Sequence, residues 1–464
     1  MNTLGLTYLA ARNHVNMISP SKMKKSQKDV LIERFLAEWR TFNEIKPEPL
    51  LSNILKFSSE NIPFYQEYFR ANPEKNLKVL TDWPILTRDH LCNESEGLKA
   101  TRPSGWKTWT HASGGSTGKP VAVVHDEYFA AKAQALRNLC SEIFFGGPHY
   151  NKLILWGMTD EVESRMPTGF KARALDEIRV MMGLKTSHIN TFEFTEQKFK
   201  KCIRILNHQK PQFIFGYAGS IYELAKYMDE RSIRPSRPPQ LIGTTAQILY
   251  PFMRDLIEKV FECKVCDHYG SREIGPAAWQ HPDGDMYFPK FFTRIEVVDA
   301  NGKSVPEGIQ GKILVTTLHN YTMPLIRYDI GDMGVLGEDT FFHGYPFSTL
   351  KEITGRSSDE FINKRGSRVG APFFIHLFYY RPWLDQFHIV QRDYDCIEIM
   401  YIAKQPATEV PDEDRHEIDQ RIRKVMTDQC RIVWEKVDKM PTTKAGKRLY
   451  IRSEVSPSRF RVVH

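Results

Sequence analysis

Between residues 152 and 271, short apolar runs alternate with amphipathic stretches, and that alternation leaves few folds open. "KLILWGM", "QFIFGYA", "QLIGTTA" and "KVCDHYG" read as strands. Helical stretches separate them: one after the candidate cap Thr195, with Phe199, Cys202, Ile203 and Leu206 on one face, then "SIYELAKYMDE", then "PFMRDLIEKVF" opened by Pro251. Strand, helix, strand, helix predicts a parallel sheet with crossover helices. Ligands of such sheets gather where loops leave the carboxyl ends of the strands, and two of those ends, "GTTA" and "DHYGSRE", are polar.

On either side the pattern changes. Residues 27 to 45, "NIPFYQEYFR" and "DWPILTRDHL" read as helix and turn elements packing an N-terminal region. From about residue 286 turn signals such as "DANGKSVPEG" punctuate β-rich hairpins. After Gly355 a smaller mixed segment follows, with strands "FHIVQRD", "CIEIMYIA" and "RIVWEKV", a polar helix "DEDRHEIDQRIRKVMTDQC" and the basic loop "KMPTTKAGKRLY". The expected fold is α/β: a large N-terminal domain over residues 1–354 with mixed and parallel sheets and a β-rich subdomain, then a small mobile α+β lid over 355–464. At 464 residues and 41% hydrophobic content, the chain can fill two such cores.

Bulk chemistry removes several function classes. The 64 basic residues exceed the 56 acidic ones by eight, but the surplus is spread along the chain. Clusters such as "SKMKK" and "KFKK" read as solvated helix faces, so no nucleic-acid partner is expected, while the balance suits small anions. The opening "MNTLGLTYLAARNH" lacks a basic leader, and no run approaches the roughly 20 apolar residues of a membrane helix. Seven sparse cysteines suit a reducing compartment, so a cytoplasmic protein without membrane attachment is expected. Cys263 and Cys266 form a CxxC without a second pair, and their odd spacing in a strand sends them to opposite faces; buried apolar thiols are expected rather than zinc.

The loop "HASGGSTGKPVAVVHD" invites a phosphate reading. A Walker loop fails at two places: Ser113 replaces its first glycine, and Pro120 follows Lys119 where a magnesium-binding hydroxyl should stand. What remains is a flexible turn of Ser113, Gly114, Gly115, Ser116, Thr117, Gly118 and Lys119 running through Pro120 into the strand "VAVVHD". A loop between strands can wrap a polyphosphate with amides and hydroxyls without a helix dipole.

"SGGSTGKP", "DHYGSREIG", "YDIGD", "GRSSDEF" and "PTTKAGK" stand in the order and rough spacing of the core motifs of the ANL adenylate-forming superfamily. The chain resembles most its phenylacetate-CoA ligases and the CapK-like branch beside them, over nearly its whole length. The resemblance implies an AMP-forming acid–thiol ligase, which joins a carboxylic acid to ATP as an acyl-adenylate, releases pyrophosphate and passes the acyl group to coenzyme A. Magnesium is the implied metal. By the same resemblance the 113–119 loop holds phosphates; Tyr269 packs on adenine, with Asp267, Thr245, Ala246 and Gln247 at its edge; Glu273 holds magnesium; Asp332 accepts from both ribose hydroxyls; and Arg356 reaches the ribose and phosphates. Lys447 resembles the lid-borne catalytic lysine. Phe215, Tyr217, Ala218, Gly219, Gly243, Pro276 and Trp279 stand near acyl-pocket positions and favour a flat or aromatic acid, or are core packing.

Three departures stand out. Arg272 replaces the usual hydroxyl before the magnesium glutamate and can take a phosphate bidentately as a second catalytic cation. Asp329 replaces an arginine of "YRTGD", and Ser358 the first aspartate of "GRTDD". Other expectations stay open: an amine or a carrier-protein thiol as acceptor, a homodimer as in relatives, and a nucleotide-binding protein without turnover.

Overall fold

The computed structural model describes residues 27–41, 46–102, 105–113, 121–145, 151–157, 180, 185–191, 195–282, 284–356, 361–365, 367–369, 371–378, 381–404, 409–441 and 450–455. Four helices open it: α1 (Gln27–Thr41), α2 (Pro47–Asn61), α3 (Pro63–Ala71) and α4 (Arg88–Asn93). Thr87 starts α4 through a reciprocal cap with His90. A hairpin of β1 (Thr108–Ser113) and β2 (Val121–Asp126) follows, then α5 (Glu127–Phe145), whose first turn is tied by the Phe129 N–H donating to Asp126 at 2.8 Å.

The expected alternation is present as β3 (Lys152–Trp156), β4 (Thr186–Asn190), α6 (Glu196–His208), β5 (Phe213–Tyr217), α7 (Ala218–Asp229), β6 (Leu241–Thr245), α8 (Pro251–Phe261) and β7 (Val265–Ser271). Thr195 stands at the cap of α6 with extended backbone, and Cys202 and Leu206 are buried on the predicted face. Pro251 occupies the first turn of α8, where its missing N–H costs nothing. These five strands pair in parallel in the order β4-β3-β5-β6-β7.

The β-rich half is an extension of the same sheet. Strands β8 (Gly275–Gln280), β9 (Met286–Pro289), β10 (Thr293–Val298), β11 (Gln310–Thr317), β12 (Tyr328–Phe342) and β13 (Tyr345–Arg356) continue from β7 in the order β8-β9-β13-β12-β11-β10, all antiparallel. The sheet therefore has eleven strands and changes character at β7, which carries the polar motif.

The remaining elements are β14 (Phe361–Ile362), β15 (Arg368–Val369), α9 (Ala371–Phe378), β16 (Leu384–Asp393), β17 (Cys396–Ala403), α10 (Asp412–Val425), β18 (Arg431–Lys436) and β19 (Ile451–Ser453). Four of them make a separate sheet, β18-β17-β16-β19, against which α10 buries Ile418 and Ile422. Such fully buried aliphatic side chains contribute about 1.5–3 kcal/mol each. Strand β13 stays in the large sheet through Arg356, two residues beyond the expected division at 354. The buried Gln391 side chain exchanges two hydrogen bonds with the backbone of Ile362, fixing the start of β14 to the small sheet.

The small sheet packs on α7 and α8 through one continuous apolar core. Lys226 of α7 pairs with Asp385 of β16, and Lys404 pairs with Glu230 at 3.3 Å. Among the described residues no helix is long and apolar enough to cross a membrane. No group of three or more His, Cys, Asp or Glu could hold a metal there, and Cys263 and Cys266 are free thiols.

Candidate active site

The polar carboxyl ends of β6 and β7 face the start of β12, and a hydrogen bond joins them. The Tyr269 hydroxyl of β7 donates to the Asp332 carboxylate of β12 at 2.8 Å. The backbone of Asp332 lies opposite that of Arg356 across the β12–β13 pair, so three of the five motifs meet in one place. Arg356 is described here only through its backbone.

Around this junction each strand end is held by its own polar side chains. Thr245 Oγ1 donates to the His268 carbonyl at 2.9 Å, and Thr244 Oγ1 donates to Asp267 at 2.8 Å. Limited solvent contact pushes the Asp267 carboxyl up to about 6, against its hydrogen bonds from Thr244 and the His268 N–H. The chain leaves β6 through Ala246 with φ +64°, a left-handed turn that a non-glycine residue adopts at a cost of about 1–2 kcal/mol. Gln247 then accepts the Gly219 N–H at 3.0 Å, and a side chain at Gly219 would meet that amide. The loops after β5 and β6 are thereby tied together.

The β7–β8 hairpin carries Arg272, exposed at its tip, and Glu273, which is 7% exposed. Ser271 Oγ accepts the Glu273 N–H at 3.1 Å, and the Glu273 carbonyl lies 3.3 Å from His125 Nε2 of β2. Among the described residues the Glu273 carboxylate has neither an ion pair nor a hydrogen bond. A hard cation that takes one protein carboxylate and otherwise phosphate oxygens and waters fits such a group.

Two histidines that the sequence reading passed over sit here. His111 and His125, on the facing strands of the β1–β2 hairpin, have ring centroids 4.9 Å apart. Burial pushes His125 down to about 4, while His111 is lowered by burial and by the Arg272 charge. Trp109 Nε1 donates to His111 Nε2, which leaves the proton of the neutral ring on Nδ1. Their positions at 111 and 125, bracketing the glycine-rich loop, were the signal.

Ser113 ends β1 opposite Val121, so the 114–120 segment closes this hairpin and β2 begins where the sequence placed "VAVVHD". Gly114, Gly115, Ser116, Thr117, Gly118 and Lys119 lie outside the described residues, as does Lys447. The chain beyond Lys447 returns at Tyr450, whose ring lies 5.8 Å from Tyr250 and 6.4 Å from Phe252, in the segment that leads from the β6 end into α8. Three residues span at most about 11 Å.

Beside the β5 end an aromatic wall forms: Trp156 lies 4.5 Å from Tyr217 and stacks on Phe215 at 6.2 Å. Burial raises the Tyr217 phenol, offset by the backbone N–H of Gly157 donating to it and by the Arg272 charge. Ala218 and Gly219 are buried at the start of α7, and Pro276 is half-buried opposite Gly270. Gly243 sits under converging rings, since a Cβ there would meet Phe215 and His268 at 2.8 and 2.9 Å. Trp279, 3% exposed, packs in the core beneath α5. Trp156, absent from the sequence candidates, joins the wall because β3 sets it beside Tyr217.

Residues 361–454 match the family described as the CapK C-terminal domain. The chain is 25% identical over 413 residues to Protein CapK of Staphylococcus aureus, covering 86% of each protein. It is 24% identical over 341 residues to phenylacetate-coenzyme A ligase of Aromatoleum evansii, covering 66% of this chain and 69% of that one. Among solved structures, 2-hydroxyisobutyryl-CoA ligase in the postadenylation state, in complex with R3-HIB-AMP, superimposes with a TM-score of 0.65 at 19% identity, covering 89% of this chain and 90% of that one. The same ligase in its thioesterification state gives 0.53 at 17% identity, covering 88% and 89%. By sequence the chain is similar to Protein CapK and to the phenylacetate-coenzyme A ligases, and its fold is that of the acyl-CoA ligase on which it superimposes.

Proposed function

We propose that this protein is an AMP-forming acid–thiol ligase. It activates a small carboxylic acid with ATP as an acyl-adenylate, releases pyrophosphate, and transfers the acyl group to a thiol, coenzyme A. The observation that carries this is the Tyr269–Asp332 hydrogen bond, which joins two distant motifs at the strand ends with Arg356 alongside.

In the first step an acid oxygen attacks the α-phosphorus, and the bond from that phosphorus to the pyrophosphate oxygen breaks. Both reactants are anions, so the site must supply cations and orientation. The Tyr269 ring packs on adenine beside Thr245, Ala246, Gln247 and Asp267, and Asp332 accepts from the ribose hydroxyls. Residues 113–119 wrap the phosphates. Glu273 would hold magnesium, which when bound neutralises phosphate charge. Arg272 faces the same phosphates, flanked by the Nδ1–H donor of neutral His111. Lys447 enters from the C-terminal unit; a compact ammonium suits charge moving between the attacking and bridging oxygens. The acid lies along the Trp156, Phe215 and Tyr217 wall, which favours a flat acyl group.

In the second step the thiol sulfur attacks the acyl carbonyl carbon, and AMP leaves with the electrons of the broken acyl–phosphate bond. One cavity serves both steps if the C-terminal unit turns between them. The linker at residues 355–360, just where β13 ends at Arg356, is our choice for the pivot.

ATP–pyrophosphate exchange over a panel of carboxylic acids tests the first step. Lys447→Ala is expected to lose on the order of 100-fold or more. Asp332→Ala is expected to raise the KM for ATP. Exchange undiminished in Lys447→Ala would discard that residue's role. ATP binding with no exchange for any acid would leave a nucleotide-binding protein without turnover.

A further inference from the structure

Asp329, which stands where the resembling pattern has arginine, is a motif departure still without a role. Strands β11 and β12 pair Lys312 with Met333 and Leu314 with Asp329, so four steps along β12 are set against two along β11. Ile330, Gly331 and Asp332 stand against Ile313 alone, an excess of two residues on β12. A bulge of this kind re-aims the side chains it carries. Gly331 takes φ +84°, a value strained for any other residue, although a methyl group there would meet nothing within 4 Å.

Asp329 closes the bulge. One carboxylate oxygen accepts the Gly331 N–H at 3.0 Å, and the other pairs with Lys312 Nζ of the neighbouring strand at 3.1 Å. Its own N–H donates to the Leu86 carbonyl at 2.8 Å, which fixes the base of the loop. Asp332, three residues on, then lies 2.8 Å from the Tyr269 hydroxyl. An arginine at 329 could not accept the Gly331 N–H, because guanidinium has no acceptor.

We propose that Asp329, braced by Lys312, is a positioning residue that holds the bulge and thereby aims Asp332 at the ribose of ATP. This rests on the reading of Asp332 as the ribose contact. The experiment is calorimetric titration of the full-length protein with ATP and with 2′,3′-dideoxy-ATP, which lacks both hydroxyls.

The wild type should prefer ATP by about tenfold or more, the usual worth of hydrogen bonds to a charged group. Asp332→Ala should abolish the preference. Asp329→Ala should remove most of it, whereas Asp329→Asn, whose amide oxygen still accepts the Gly331 N–H, should keep most of it. A preference lost in Asp332→Ala but intact in Asp329→Ala overturns the positioning role while sparing the site. A preference intact in Asp332→Ala overturns the ribose reading itself and the proposal with it. If Asp329→Ala does not fold, Gly331→Ala deforms the same bulge independently and should lose the preference; retention there also overturns the proposal.

Discussion

Replacing Arg327 by methionine should unfasten the N-terminal segment from the β-rich half at a cost that the structure lets one divide. The Arg327 side chain is 4% exposed and its partner Glu296 7%, with Nε 3.3 Å from the carboxylate. Its other nitrogens donate to the carbonyls of Thr81 at 3.2 Å, Trp83 at 3.2 Å and Gly302 at 2.8 Å. Its carbonyl accepts the Leu86 N–H, immediately before β12. Breaking a buried ion pair by removing one partner costs about 3–5 kcal/mol. Each stranded carbonyl adds about 1 kcal/mol where water cannot replace the donor. Arg327→Met should therefore lose about 5 kcal/mol or more, while Arg327→Met with Glu296→Leu should recover the charge part and stay about 3 kcal/mol below wild type. Burial already raises the Glu296 carboxyl against the pull of Arg327, so in the single variant Glu296 takes up a proton more readily and the loss shrinks as pH falls. A chain with several cores need not unfold in one step, so the assay is native-state hydrogen exchange at the amides of Leu86 and Asp329. A single-variant loss below about 1 kcal/mol, or no recovery in the double variant, would refute the reasoning.

The remaining predictions concern the two units, the titrating groups and the acceptor. Lys226→Glu should free the C-terminal unit from α7 and enlarge the radius of gyration in solution scattering, and adding Asp385→Lys should restore it; an unchanged radius in the single variant would contradict the latch. Asp267 has a raised folded pKa of about 6, so the stability it contributes is lost as pH rises from about 4 to 6, and Asp267→Asn should remove that fall. His125 has a lowered folded pKa of about 4, so its contribution runs the other way, rising with pH between 4 and 6.5; His125→Gln should remove that rise in chemical denaturation across the range. With coenzyme A and amines offered together, mass spectrometry of the product should find a thioester; an amide would move the protein to the amine-acceptor class.

Much of the fold was legible because its signals are local. The apolar alternation from Lys152 to Gly270, Pro251 at the start of α8 and the entry into β2 at Val121 each predict a single element from neighbouring residues, and each stands where expected. Fusion of the two halves into one eleven-stranded sheet was not legible, because it depends on β9 pairing with β13, Met286 opposite Leu350, and no local pattern encodes that register. The site divides in the same way. Tyr269 and Asp332 were named from motifs, and their contact follows. Trp279 read either as pocket lining or as core and packs under α5, since which face a strand residue occupies depends on pairing. Asp329 read as a missing positive charge because its partner Lys312 is distant in sequence and is brought near only by the β11–β12 bulge.

The central claim is that these strand ends form an acyl-adenylate. Hydroxylamine trapping over a panel of carboxylic acids, with ATP and magnesium and no added acceptor, tests it most directly, because it reports the adenylate whatever the natural acceptor is. At least one acid should give a hydroxamate that requires ATP and disappears in Lys447→Ala. Saturable ATP binding with no hydroxamate from any acid would contradict it.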